Sequence, residues 1–207
     1  MAVLSANDLD RFTPSHRADD PAPPVYLIAP MTWRQRAMWR AELARGGAGR
    51  FFTAEQIARA VRDAVEEIAP DNLAECLDAV DAMLGLIAAD AARAEQTDAA
   101  APAGADDAGR DERRRAVVDA YQVVEGAMAA HPRVAGMMAE NAMFNAVAPV
   151  LAAAISLRGW EGVAAPFARR GGLVPDDVLD RLDERDLYAV GNRALQLMRV
   201  SEADRKN

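Results

Sequence analysis

The sequence predicts an all-α fold, a multi-helix bundle preceded by a short extended or β-hairpin N-terminal segment, and three observations carry that prediction. Hydrophobic residues make up 51% of the chain but aromatics only 5%, so alanine supplies much of the apolar content and favours closely packed helices over sheets. Apolar residues recur at helical spacing in segment after segment. Thr32 with Gln35, and Thr53 with Gln56, match the capping box, in which a hydroxyl and a side-chain amide reciprocally satisfy free backbone amides at a helix start. At 207 residues the chain can hold one sizeable core or two small ones.

Residues 13–30, "TPSHRADDPAPPVYLIAP", combine proline punctuation with a β-favouring run at Val25, Tyr26, Leu27 and Ile28. That run predicts a short strand, paired with the segment around Phe12. A helix follows from Thr32 to the Gly46-Gly47 pair, and a second starts at Thr53 with Ile57, Val61, Ala64, Val65 and Ile68 on one face. Pro70 ends it. A third carries the stripe Leu73, Leu77, Val80, Leu84, Ile87, and Cys76, the only cysteine, falls on that stripe as a small core residue of a reducing compartment.

Between about 97 and 110, "TDAAAPAGADDAGR" has no apolar anchor and reads as a flexible linker. It divides the chain into an N-terminal part, 1–96, and a C-terminal helical part, 111–207, that packs on the first. Val117, Tyr121, Val124 and Met128 mark the next helix, interrupted at His131-Pro132. "RVAGMMAENAMFNAVAPVLAAAISL" is apolar on nearly every face, which suits a central helix, and Pro149 should kink it or divide it in two. Trp160, between Gly159 and Gly162, suggests a loop pinned by one large anchor, either a binding loop or a lid on the core. Pro175 suits the first turn of a short helix, and Leu187, Val190, Ala194, Leu197 and Met198 mark a final long one.

Composition excludes several functions. The formal net charge of −8 disfavours nucleic acid, whose phosphate backbone needs clustered Lys and Arg. The N-terminus lacks a basic region followed by an apolar one, and the apolar stretches are broken within the ~20 residues a membrane span requires, so the expectation is a cytoplasmic protein without a membrane partner. His16 and His131 stand at no metal-ligand spacing, and neither glycine-rich stretch, 46–50 or 169–172, has the strand and Lys-Ser/Thr of a phosphate loop. Runs such as Glu66-Glu67, Asp176-Asp177 and "DRLDERD" read as solvated faces or helix starts. No catalytic residue, cofactor or metal is expected.

The candidate site is a partner surface. The first helix carries Trp33, Arg34, Arg36, Trp39, Arg40 and Arg45, a basic and aromatic surface on an acidic protein. Arg and Trp are common interface anchors because each combines area with directional polarity. Trp33 and Trp39 point about 120° apart, so one is assigned to a partner and the other to packing on the N-terminal strand. Trp33, Arg36, Trp39, Arg40 and Trp160 are the expected partner-binding residues.

The order of these features resembles the tail assembly chaperones of tailed bacteriophages. The resemblance is carried by "VYLIAPMTWRQRAMWRAEL", by "RGWEGV", and by "GGLVPDDVLDRLDERDLYAVGNRALQLMRVSEADRKN", whose end is similar to a Ser-Glu-x-x-x-Lys-Asn terminus often seen there. It covers both ends of the chain and leaves about 71–132 without a motif. The resemblance implies a non-enzymatic protein in the host cytoplasm that binds the helix-rich tape measure protein, or other tail proteins, keeps it soluble during tail assembly, and admits a homo-oligomer. The cluster Met137, Met138, Met143 then offers either an adaptable client surface or ordinary core filling. The competing expectations are a helical structural or adaptor component of the tail and, from another class, a bacterial regulatory module.

Overall fold

Both capping boxes form. In the computed structural model, which describes residues 9–96 and 107–203, Thr32 Oγ1 accepts from the Gln35 amide at 3.3 Å while Gln35 Oε1 accepts from the Thr32 amide at 2.9 Å; Thr53 and Gln56 repeat the geometry. The elements run β1 (Asp10–Phe12), a 3-10 turn (Ser15–Arg17), β2 (Val25–Ile28), α1 (Trp33–Arg45), α2 (Ala54–Ile68), α3 (Leu73–Gln96), α4 (Asp107–Met128), α5 (Pro132–Ser156), β3 (Leu157–Glu161), α6 (Asp176–Leu179) and α7 (Glu184–Ala203). The protein is mostly helical with one small antiparallel sheet near its N-terminus.

α1 stops where glycine lets it. Gly47 adopts φ +76°, its amide donates to Ala44 O at 3.2 Å, and the Ala48 amide donates to Leu43 O at 2.9 Å, so the last carbonyls are satisfied by a Schellman closure. α2 ends on Ala69, a non-glycine residue at φ 48°, just before Pro70. Ile68, expected on the apolar face, is 52% exposed because it occupies that closing turn.

The chain forms two compact units, one of residues 1–50 and 142–207, the other of 51–141. The boundaries therefore fall at 50/51 and 141/142, not at the expected linker. Residues 97–106 of that linker lie outside the described residues, and 107–110 already belong to α4. α3 and α4 pack against each other and on α2, with Arg114 paired to Asp90 at 2.7 Å, which is why the segment joining them divides no unit. The core of this unit gathers Val61 and Val65, Val80 beside the buried Cys76, and Tyr121, Val124, Met128 and Val134.

The other unit holds the sheet, ordered β1-β2-β3. β1 pairs with β2 as the sequence suggested, with Phe12 opposite Tyr26, but β2 also pairs with β3, placing Tyr26 opposite Trp160 and Leu27 opposite Gly159. Trp160 thus sits in a strand rather than a loop. Leu157 and Gly159 face inward while Arg158 and Trp160 are half-buried, the alternation of a strand, and at Gly159 a Cβ would lie 3.3 Å from Leu27 Cδ1. The loop comes later, where Gly171 and Gly172, at φ +60° and +87°, close a tight turn between Arg170 and Leu173. Pro175 stands just before α6 as its N-cap rather than inside its first turn.

Pro149 does not divide α5, which is continuous through it. By length and composition α5 could cross a bilayer, although Glu140, Asn141 and Asn145 interrupt its apolar run. Its residues nonetheless contribute to the cores, Val134 to one unit and Ala148 and Ala152 to Ile155 to the other. α7 meets it at Gly191, where a Cβ would lie only 2.0 Å from the Pro149 carbonyl oxygen.

Candidate partner-binding surface

α1 separates its two tryptophans as the helical wheel requires. Trp33, in the first turn, is 63% exposed, and the Arg34 guanidinium lies over its ring at 5.2 Å from the centroid. Arg40 and Met38 are exposed with it. Trp39 is the core member: it is 6% exposed, its Nε1 donates to the Ala148 carbonyl at 3.2 Å, and its ring stands edge-on to Phe144 at 6.1 Å. Arg36, one turn earlier on the same face, is also buried. Trp39 and Arg36 therefore leave the set of expected partner residues, because spacing of three to four residues puts them with Leu43 on the stripe that α1 turns inward. Trp33 and Arg40 are the exposed members of the set on α1.

Trp160 is half-buried. Its Nε1 donates to Ala165 O at 2.7 Å and its ring meets Phe167 edge-on at 4.9 Å, so the indole pins the segment that follows β3.

Two grooves accompany these residues, one within each unit. In the first, of about 380 Å³, Val147, Val150, Leu151 and Ala154 of α5 and Leu179 of α6 form an apolar floor, with Glu42 and Asp176 at the rim. In the second, of about 770 Å³, Leu84, Gly85, Ile87, Ala88 and Ala91 of α3 lie between Arg59, Arg62 and Arg133. Those arginines are paired to Glu55, Asp81 and Asp63, so the rim is charged yet locally neutral. Of the three methionines, Met143 is exposed and Met137 and Met138 pack partly buried on the 51–141 core.

One polar cluster was not foreseen. Asp186, in the first turn of α7, is 3% exposed, and both of its oxygens are occupied. Oδ1 faces His16 Nε2 at 2.8 Å and accepts from Arg17 Nε at 3.1 Å; Oδ2 accepts from Tyr26 Oη at 2.9 Å and from Arg17 Nη2 at 3.3 Å. Burial acts to raise the pKa of this carboxyl, but hydrogen bonds from Arg17 and Tyr26 and the Arg17 charge hold it below the usual range. Burial, together with Asp186, pushes the Tyr26 phenol upward. His16, Asp183 and Asp186 bring three potential metal ligands within 4.8 Å of one another, yet Arg17 already lies across Asp186 and 3.5 Å from Asp183. A cation there must displace a guanidinium. With no free lone pair aimed outward, Asp186 suits a clasp between the N-terminal segment and α7 better than acid–base work. The other sequence-singled histidine, His131, pairs with Glu67 at 3.2 Å at the start of α5. Asp176 and Asp177 are exposed in the first turn of α6.

Compared with protein-family models, with curated proteins and with solved structures, the chain matches none of them.

Proposed function

We propose that this chain is a phage or prophage-like tail assembly chaperone, which binds the tape measure protein and keeps it soluble until tail subunits assemble around it. The observation that carries the reading is the α3 groove: an apolar floor built on about two helical turns of α3, from Leu84 to Ala91, and rimmed by ion pairs that need no partner charge. Such a groove fits the apolar ridge of an amphipathic helix, the feature a long helical client exposes repeatedly. Exposed Trp33, with Arg34 over its ring and Arg40 two turns on, supplies an anchor of the type that dominates interface energy. The resemblance of the two chain ends to the chaperone family points the same way.

No chemistry is needed for this role, and the protein acts by shielding apolar surface in the host cytoplasm. The bundle character of the helices belongs to the same reading, since helical walls make such grooves. Co-expression tests it: the tape measure protein encoded alongside should stay in solution with this chain and precipitate without it, and finished particles should hold little of the chain. Stoichiometric retention in mature tails would instead make it a structural component.

A further inference from the structure

The C-terminal end of α5 leaves carbonyls without helical partners, and the surrounding chain takes up those of Ala154, Ile155 and Ser156. The Val174 amide donates to Ala154 O at 2.9 Å and the Ala29 amide to Ser156 O at 3.0 Å. The Ile155 and Leu157 carbonyls are taken by two guanidiniums. Arg158 Nη1 donates to Ile155 O at 2.7 Å and to Leu157 O at 3.3 Å, while Arg169 Nη2 reaches Ile155 O at 3.3 Å and its Nη1 donates to the same Leu157 oxygen. Arg169 Nη2 also donates to Gly172 O.

The two guanidiniums differ in charge balance from several others of this unit. Arg11, Arg17, Arg45, Arg170 and Arg193 each face a carboxylate. Arg158 and Arg169 are half-buried and face none among the described residues. Carbonyl dipoles solvate a guanidinium but do not neutralise it, and a helix C-terminus offers only about half a negative charge against two whole positive ones. Burial depresses the pKa of both groups, and at Arg158 the charge of Arg169 adds to it. One arginine would suffice to cap these carbonyls. The second makes an excess of positive charge on an otherwise acidic chain.

Among the described residues Arg158 uses only Nη1, and its Nε–Nη2 edge has no acceptor there. That edge has the fork geometry that pairs bidentately with an oxyanion. We propose that Arg158 and Arg169 form an oxyanion site, in which a carboxylate or phosphate group sits on the Nε–Nη2 edge of Arg158 with Arg169 as the second positive charge. The site is independent of the grooves and of the identity of the client.

The test is calorimetric titration and thermal shift of the full chain with inorganic phosphate and with succinate, each against chloride at equal ionic strength. At least one oxyanion should bind and raise the unfolding midpoint above the chloride control. Arg158→Lys, which keeps the charge and loses the fork, should weaken that binding about tenfold, equivalent to ~1.4 kcal/mol. A response to phosphate alone or to succinate alone identifies the ligand class and supports the site. No oxyanion effect beyond chloride, or equal affinity in Arg158→Lys and the parent chain, overturns it. Arg169→Gln, which removes the second positive charge, provides the second variant and should also weaken that binding, should Arg158→Lys fail to fold.

Discussion

Replacing Gly191 by alanine adds one methyl group at the point where α7 meets α5. The new Cβ would lie 2.0 Å from Pro149 O, 2.4 Å from its carbonyl carbon and 2.7 Å from its Cα, all backbone atoms that no rotamer change can move. Restoring even the tightest tolerable contact, about 3 Å, requires the helices to part by about 1 Å, a gap that forfeits a quarter to a half of each dispersion well along the seam. Val190 and Ala194 on α7 and Ala148 and Ala152 on α5, all fully buried, would lose contact together. Overpacking of this kind costs ~3 kcal/mol, and the helix-propensity gain of alanine over glycine returns ~1 kcal/mol, leaving a net loss of ~2 kcal/mol. With a urea m-value of ~2 kcal/mol/M, the midpoint should fall by about 1 M. Tryptophan emission reads this unit selectively, because Trp33, Trp39 and Trp160 all belong to it. Gly85→Ala and Gly126→Ala are the controls: both positions are helical with nothing within 4 Å of an added Cβ, so each should stabilise the other unit by ~0.5–1 kcal/mol in far-UV ellipticity. An unchanged or raised emission midpoint in Gly191→Ala would refute the close crossing.

The two tryptophans of α1 should separate cleanly. Trp39→Ala should lose ~3–5 kcal/mol by denaturation while Trp33→Ala stays within ~0.5 kcal/mol of the parent, and comparable losses would contradict the division of α1 into inner and outer faces. Asp186 gives a pH dependence: its folded pKa lies below its ordinary value of 3.8, so its stabilisation is present above that value and is lost as pH falls through the folded one. Asp186→Asn, destabilised at neutral pH by the loss of the buried charge that Arg17 and Tyr26 bond, should show a flatter stability curve than the parent below about pH 4, and parallel acid limbs would argue against the clasp.

What could be read from the sequence was what local chemistry decides. The capping boxes at Thr32 and Thr53 involve residues three apart, and the Val61–Val65 stripe needs only helical periodicity, so these elements stood in the sequence with their starts. β3 did not, because its partner strand is more than a hundred residues away and its glycine resembles a loop signal until Leu27 is seen packed against it. The same distance hid Asp186, whose run of acids reads as a solvated face without His16, Arg17 and Tyr26. For α1, composition misled: Arg36 and Trp39 looked like an interface because arginine is rarely buried, whereas helical phase alone, through Leu43, placed them inside. The unit boundaries escaped for a related reason. A stretch poor in apolar anchors at 97–110 looked like a division, but α3 and α4 on either side share one core.

The central claim is that the protein shields a helical client through open apolar grooves and an exposed tryptophan. The most direct measurement is the fraction of the co-expressed tape measure protein that remains in the supernatant, compared among the parent chain, Trp33→Ala and Ala88→Glu, the last placing a charge in the floor of the α3 groove. The account predicts a soluble client with the parent, a marked loss with Ala88→Glu and a smaller one with Trp33→Ala, while circular dichroism of both variants stays that of the parent. A client that is equally soluble without the chain, or equally protected by well-folded variants, would contradict it.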